Sequence, residues 1–120
     1  MDLYNELQKK VKELEISLKK LRETGSDYAE AERDYKITLR QEVLKLREQG
    51  EAIGVITLIC YGIPEVAEKR FKRDVAEAIY KANLEAINTL KLQIRLIENQ
   101  EDREWSNAKN EWWRILFIRP

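Results

Sequence analysis

The chain has 120 residues, 43% of them apolar and 37% charged, with 22 Lys plus Arg balanced by 22 Asp plus Glu. That length allows one domain around one core, and the charged share suits long amphipathic helices rather than disorder. Zero formal charge removes any global electrostatic drive toward nucleic acid or an anionic membrane, and the absence of histidine removes the commonest general base and metal ligand.

The single cysteine, Cys60, excludes an intramolecular disulfide and fits a reducing compartment. No basic-then-apolar leader opens the chain, and no apolar run approaches the ~20 residues of a membrane span. A soluble intracellular protein is expected. Glycine and proline occur only at Gly25, Gly50, Gly54, Gly62, Pro64 and Pro120, so they divide the chain into helix-length stretches.

The first stretch carries Leu3, Leu7, Val11, Leu14, Leu18 and Leu21 at spacings of three and four, which is one stripe on a helix. Thr24-Gly25-Ser26-Asp27 reads as a stop and a restart, with Gly25 as a C-cap and Asp27 with Glu30 as a capping box. A second stripe follows in Tyr28, Ala31, Tyr35, Leu39, Val43 and Leu46. Two helices of about 24 residues, each ~36 Å long, joined by a short turn predict an antiparallel hairpin.

Gly50 ends the second helix. The apolar run from Ala52 to Ile63 fits a buried strand or a short helix. A lone strand would have no partner for its backbone, so a helix with Thr57 as N-cap, ending at Gly62, is expected. Pro64 suits the first position of a third helix. Its stripe is Phe71, Val75, Ala78 or Ile79, Ala82, Ala86, Leu90, Ile94 and Ile97, widened by Tyr80, Leu84 and Ile87. So broad a face predicts packing in the groove of the hairpin. From Pro64 to Trp105 this helix would run on the order of 60 Å, longer than the hairpin. Trp105, Ala108, Trp112 and Ile115 keep the spacing going, whereas Ser106, Asn107 and Asn110 favour a break. The fold class is all-α, with residues 1–105 as a coiled-coil-like three-helix bundle and 106–120 as an apolar, Trp-rich tail.

Catalytic equipment is missing: there is no GxSxG, no phosphate-cradling glycine loop and no cysteine cluster. Carboxylate pairs such as Glu65 with Glu68 or Asp74 with Glu77 arise readily in so charged a chain, and the Glu-x-x-His of helical di-iron sites is absent. No enzyme, cofactor or metal is expected, and Cys60 reads as a small core residue. Lys69, Arg70 and Arg73, in the first turns of the third helix, are the candidate phosphate contacts. Neighbouring carboxylates make a self-neutralised face the competing reading. Trp105, Trp112, Trp113, Ile115, Leu116 and Phe117 are the candidate interface, for a second copy or another protein. Folding back onto the core is the plainer alternative.

The runs Asp27-Tyr28-Ala29-Glu30-Ala31-Glu32-Arg33-Asp34-Tyr35-Lys36 and Pro64-Glu65-Val66-Ala67-Glu68-Lys69-Arg70-Phe71-Lys72-Arg73-Asp74, with Tyr80-Lys81-Ala82-Asn83 and Glu104-Trp105, resemble a group of small proteins of bacteriophages that infect Gram-positive bacteria. The resemblance covers about residues 1–105 and brings no functional residues with it; the tail departs from the pattern. It implies a phage origin and the cytoplasm of an infected bacterium. The function expected is therefore non-enzymatic: an accessory protein, and homo-oligomer, that binds a host protein and inhibits or redirects it, such as a defence component. The alternatives are a nucleic-acid accessory protein of phage replication or recombination, and an oligomer that sequesters a nucleotide signal.

Overall fold

The computed structural model describes residues 2–117; Met1 and the last three residues of the expected tail, 118–120, lie outside them. The described residues are almost wholly helical, with no strand among them: α1 (Leu3–Glu48), α2 (Ile53–Ile59), a 3-10 turn (Cys60–Gly62) and α3 (Pro64–Phe117). Asp2 starts α1, its Oδ1 accepting from the Tyr4 amide at 2.9 Å.

The turn expected at Thr24–Asp27 is absent, because α1 is one helix of 46 residues running through it. Gly25 has helical, negative φ; the only glycine at positive φ is Gly50. A helical glycine costs about 1 kcal/mol relative to alanine, and the reason it stands here lies across the seam. A Cβ at Gly25 would sit 3.3 Å from the Tyr80 ring, so the missing side chain makes room for an aromatic from α3. Next to it the Thr24 hydroxyl donates to Asn83 Oδ1 at 2.8 Å, with the Leu21 carbonyl at 3.3 Å as a second acceptor.

Gly50 supplies the real stop. At φ 84° it lets the Gly50 amide bond the Arg47 carbonyl (3.0 Å) and the Glu51 amide the Leu46 carbonyl (3.1 Å). This is the paired closure of a Schellman end. α2 begins at Ile53 after extended Ala52, five residues before the start expected with Thr57 as the cap. Thr57 is not its cap: it lies inside the helix, its hydroxyl donating back to the Ile53 carbonyl at 3.0 Å. Ile63 is extended, as a residue before proline prefers, and Pro64 opens α3 as expected.

The chain packs as two compact units, Lys19–Leu84 and the residues up to Leu18 with those from Glu85 onward. In Lys19–Leu84 the contacts between α1 and α3 run in opposite order along the two helices: Thr24 with Asn83, Tyr28 with Tyr80, Tyr35 with Arg73. The covered positions of α1 include Leu21, Thr24, Tyr28, Ala31, Tyr35, Thr38 and Glu42, beside which Gly25, Glu32, Asp34, Leu39, Val43 and Leu46 are also covered. Those of α3 include Val66, Lys69, Arg73, Ala76, Tyr80 and Asn83, with Glu77 and Leu84 covered beside them. One row in each helix alternates threes and fours, the spacing of a single helix face. The fully buried Val66 and the buried Ile56 and Cys60 close the end nearest α2.

This seam corrects the expected face of α3. Phe71, Val75, Ala78, Ile79, Ala82 and Ala86 are exposed, whereas the expected Tyr80, Leu84, Ile87, Leu90, Ile94 and Ile97 are covered. Before Tyr80 the inward row is displaced around the helix and carries Val66, Lys69 and Arg73. Likewise α3 faces one helix here, since the groove between two expected helices vanished with the turn at Gly25. In the other unit the covered positions include Leu3, Glu6, Leu7, Lys10, Val11, Glu13, Leu14 and Ser17 on α1, and Ile87, Leu90, Gln93, Ile94, Ile97 and Glu101 on α3. Leu18, counted into the first stripe, is exposed.

Gly25 and Gly50 therefore respond differently to substitution. Gly50→Ala is expected to cost about 1 kcal/mol through its positive φ. Gly25→Leu is expected to cost about 1–3 kcal/mol by displacing the Tyr80 ring, despite leucine's better helix propensity. Urea unfolding followed by circular dichroism measures both. A Gly25→Leu chain as stable as the parent would remove the close approach from the account.

Candidate protein-binding surfaces

Lys69, Arg70 and Arg73 lie on successive turns of α3, but they do not converge on an open site. Arg73 is taken up by the seam. Its guanidinium lies over the Tyr35 ring at 4.6 Å, 2.8 Å from Asp74 and 3.7 Å from Glu32. The hydrogen bond to Asp74, reinforced by the Asp74 and Glu32 charges, outweighs burial and raises the Arg73 pKa above its ordinary value. Arg70 sits over the Tyr61 ring at 5.4 Å. Lys69 borders, with Lys72, a depression of about 150 Å³ whose other walls include Asp27, Glu30 and Asp34. Three carboxylates beside two ammonium groups repel a phosphate rather than hold it. Among the described residues no group of three or more His, Cys, Asp or Glu is placed to bind a metal ion. No helix among them is long and apolar enough to cross a membrane.

Apolar surface is what the molecule presents. One patch surrounds α2, where Ile56 and Cys60 turn inward while Ile53 (75% exposed), Leu58 (83%), Val55, Ile59 and Tyr61 face outward. Beside them runs a groove of about 330 Å³, walled by Leu39, Val43 and Arg47 of α1 and by Ile53, Ile56, Thr57, Cys60 and Tyr61. A seven-residue helix can bury only one small face. Filling nearly every other position with Ile, Leu and Val leaves a patch that water does not favour. Composition signalled this run as apolar, and of its residues the sequence reading assigned Cys60 to the core, where it is buried.

A second apolar strip lies on α3, where Phe71, Val75 and Ile79 flank a shallow groove of about 220 Å³ with Thr24, Asp27, Lys72 and Ala76. The third is the end of α3. The helix runs unbroken through Ser106, Asn107 and Asn110 to Phe117, since these residues cost only tenths of a kcal/mol each. Gln100 bonds Glu104 and Arg103 along the helix, and the Trp113 and Phe117 rings stack at 4.2 Å. From Asp102 to Phe117 every residue is exposed, so Trp105, Trp112, Trp113, Ile115, Leu116 and Phe117 do not fold back onto a core. They lie together on one helix end, while Lys69, Arg70 and Arg73 are dispersed among structural contacts.

Arg73→Ala is expected to lower stability by about 1–2 kcal/mol, because it removes a ring contact together with two ion pairs. Arg70→Ala, at the surface, is expected to cost less than about 0.5 kcal/mol. Equal effects in urea titrations would contradict the separate placements of the two side chains. No family model, curated protein or solved structure matches this chain.

Proposed function

We propose that the protein is a non-enzymatic binding protein, built as an antiparallel, coiled-coil-like helical hairpin with α2 and the 3-10 turn at its bend. In the phage setting that the sequence resemblance implies, its partner is a host protein that it inhibits or redirects. The opposed contact order of α1 and α3 supports the hairpin. The observation that carries the binding reading is the α2 surface: five large apolar side chains exposed within nine residues, beside an apolar groove.

The groove suits the apolar face of a partner's helix, a common mode of peptide recognition. Arg47 in its wall and Arg70 over Tyr61 add positive charge at the edge, so carboxylates flanking the partner's apolar residues would fit best. Recognition by apolar contact also accords with a chain whose charges cancel and in which Lys72 and Arg73 are paired with carboxylates.

The test is recovery of partner from nuclease-treated lysate of a bacterial host, with the full chain as bait and Ile53→Asp/Leu58→Asp as control. Both positions are exposed, so the control should keep its helical content. One host protein captured near stoichiometrically by the parent and lost from the control is the expected result. Equal capture by both would reject the α2 surface. Material lost on nuclease treatment would point to nucleic acid instead.

A further inference from the structure

We propose that the end of α3, from Trp105 to Phe117, is the site at which two copies of this chain pair, with Trp112 of each seated over Ala108 of the other. The surface is distinct from the α2 patch, and the inference is independent of the host-partner reading.

The first argument is the direction of the apolar face. At 100° per residue, Ile87, Leu90, Ile94 and Ile97 span roughly 80° of the α3 circumference, the width of one seam. Beyond Glu101 that same direction is continued by Ala108, Trp112, Trp105 and Ile115. The apolar arc also widens to roughly 200° through Leu116, Trp113 and Phe117. Burial nevertheless stops at Glu101. A face built like the seam, and broader than it, is left exposed from Asp102 to Phe117.

The second argument is area. With ~200 Å² for a large side chain, the exposed parts of the six apolar residues amount to on the order of 700 Å² per chain. A monomer's largest apolar patch is usually about 300–600 Å². A stable interface of standard size takes about 800 Å² from each partner. The ~100° stripe that one pairing covers, with Trp105, Trp112, Ile115 and Leu116, supplies on the order of 500 Å² of that.

The third argument is shape, and it selects a second copy. Trp105, Ala108, Lys109, Trp112 and Trp113 line a concavity of about 540 Å³, with the small Ala108 between two indoles. Trp112 is the adjoining projection, one turn further on and 60% exposed. Knob and hole thus occupy one surface, the requirement for a two-fold, isologous contact. An antiparallel pairing of two such ends puts each Trp112 opposite the other Ala108, and each Trp105 opposite the other Ile115. The stack of Trp113 on Phe117 holds one flank of the concavity in place. Lys109, at its edge, can reach solvent along its aliphatic stem. The segment Arg103–Phe117 carries three cations and two carboxylates, so two copies meet with little net repulsion, whereas a lipid surface would call for a strongly basic polar face.

The test is sedimentation of the full chain over a roughly hundredfold concentration range. Circular dichroism confirms helicity for each variant. The parent is expected to be a dimer. Trp112→Ala and Ala108→Trp should each raise the dissociation constant at least ~30-fold, as loss of an interface hot spot does. The double variant Ala108→Trp/Trp112→Ala exchanges knob and hole, and should restore a dimer within a few-fold of the parent. A parent that sediments as anything but a dimer overturns the proposal. So do single variants that leave the dimer intact, and a double variant that keeps its helicity without recovering the dimer.

Discussion

Two helices that meet along one seam can each bury a stripe about 100° wide, and this chain has more apolar residues than such a stripe holds. In Lys19–Leu84 the seam spends its positions on Tyr28, Tyr35, Thr24, Asn83 and Arg73 as well as on aliphatic groups. Phe71, Val75 and Ile79 are displaced to the surface of α3 as a result. A larger bundle would have buried them against a third helix. Here the limited covering power of one partner helix converts aliphatic content into exposed surface, and that conversion is the physical root of the strip at Phe71, Val75 and Ile79.

The seam positions themselves are unusual for their polarity. Arg73 replaces an aliphatic layer with a guanidinium laid on the Tyr35 ring and tied to Glu32 and Asp74. Thr24 with Asn83 makes another layer by hydrogen bonding. Polar layers stabilise less than aliphatic ones, but they discriminate between registers. A slip by one heptad would separate Thr24 from Asn83 and would leave the hollow at Gly25 without the Tyr80 ring. Register here is specified by chemistry as well as by hydrophobicity.

Much of this was legible in the sequence. The helical class followed from spacing, the end of α1 from Gly50, the start of α3 from Pro64. The errors share one physical source. Gly25 has two roles open to it in a helical context, a cap or a place of close approach, and only Tyr80, far along the chain, decides between them. Phe71, Val75 and Ile79 form as regular a stripe as Val66, Arg73 and Tyr80, and periodicity cannot say which of two parallel stripes a partner will cover. Nor could local sequence show that Arg73 points into the seam, since its ring partner belongs to the other helix. At the end of α3 the apolar spacing and the weak helix formers disagreed, and a few tenths of a kcal/mol per residue were too little to break the helix.

The opposed order of the contacts also bears on how the chain finds its shape. Layers nearest α2 join residues closest in sequence, whereas Thr24 and Asn83 stand 59 residues apart. Closing that span from an open chain is entropically costly, but once Val66 and Ile56 have packed at the bend, each following layer extends an already closed loop by a few residues. Each doubling of a loop adds only about 0.6 kcal/mol, so the two arms can zip outward from the bend. Helices of this length also form individually far faster than they find each other. The segment between Gly50 and Pro64, with its Schellman closure and its proline start, therefore sits inside the shortest loop that these contacts close.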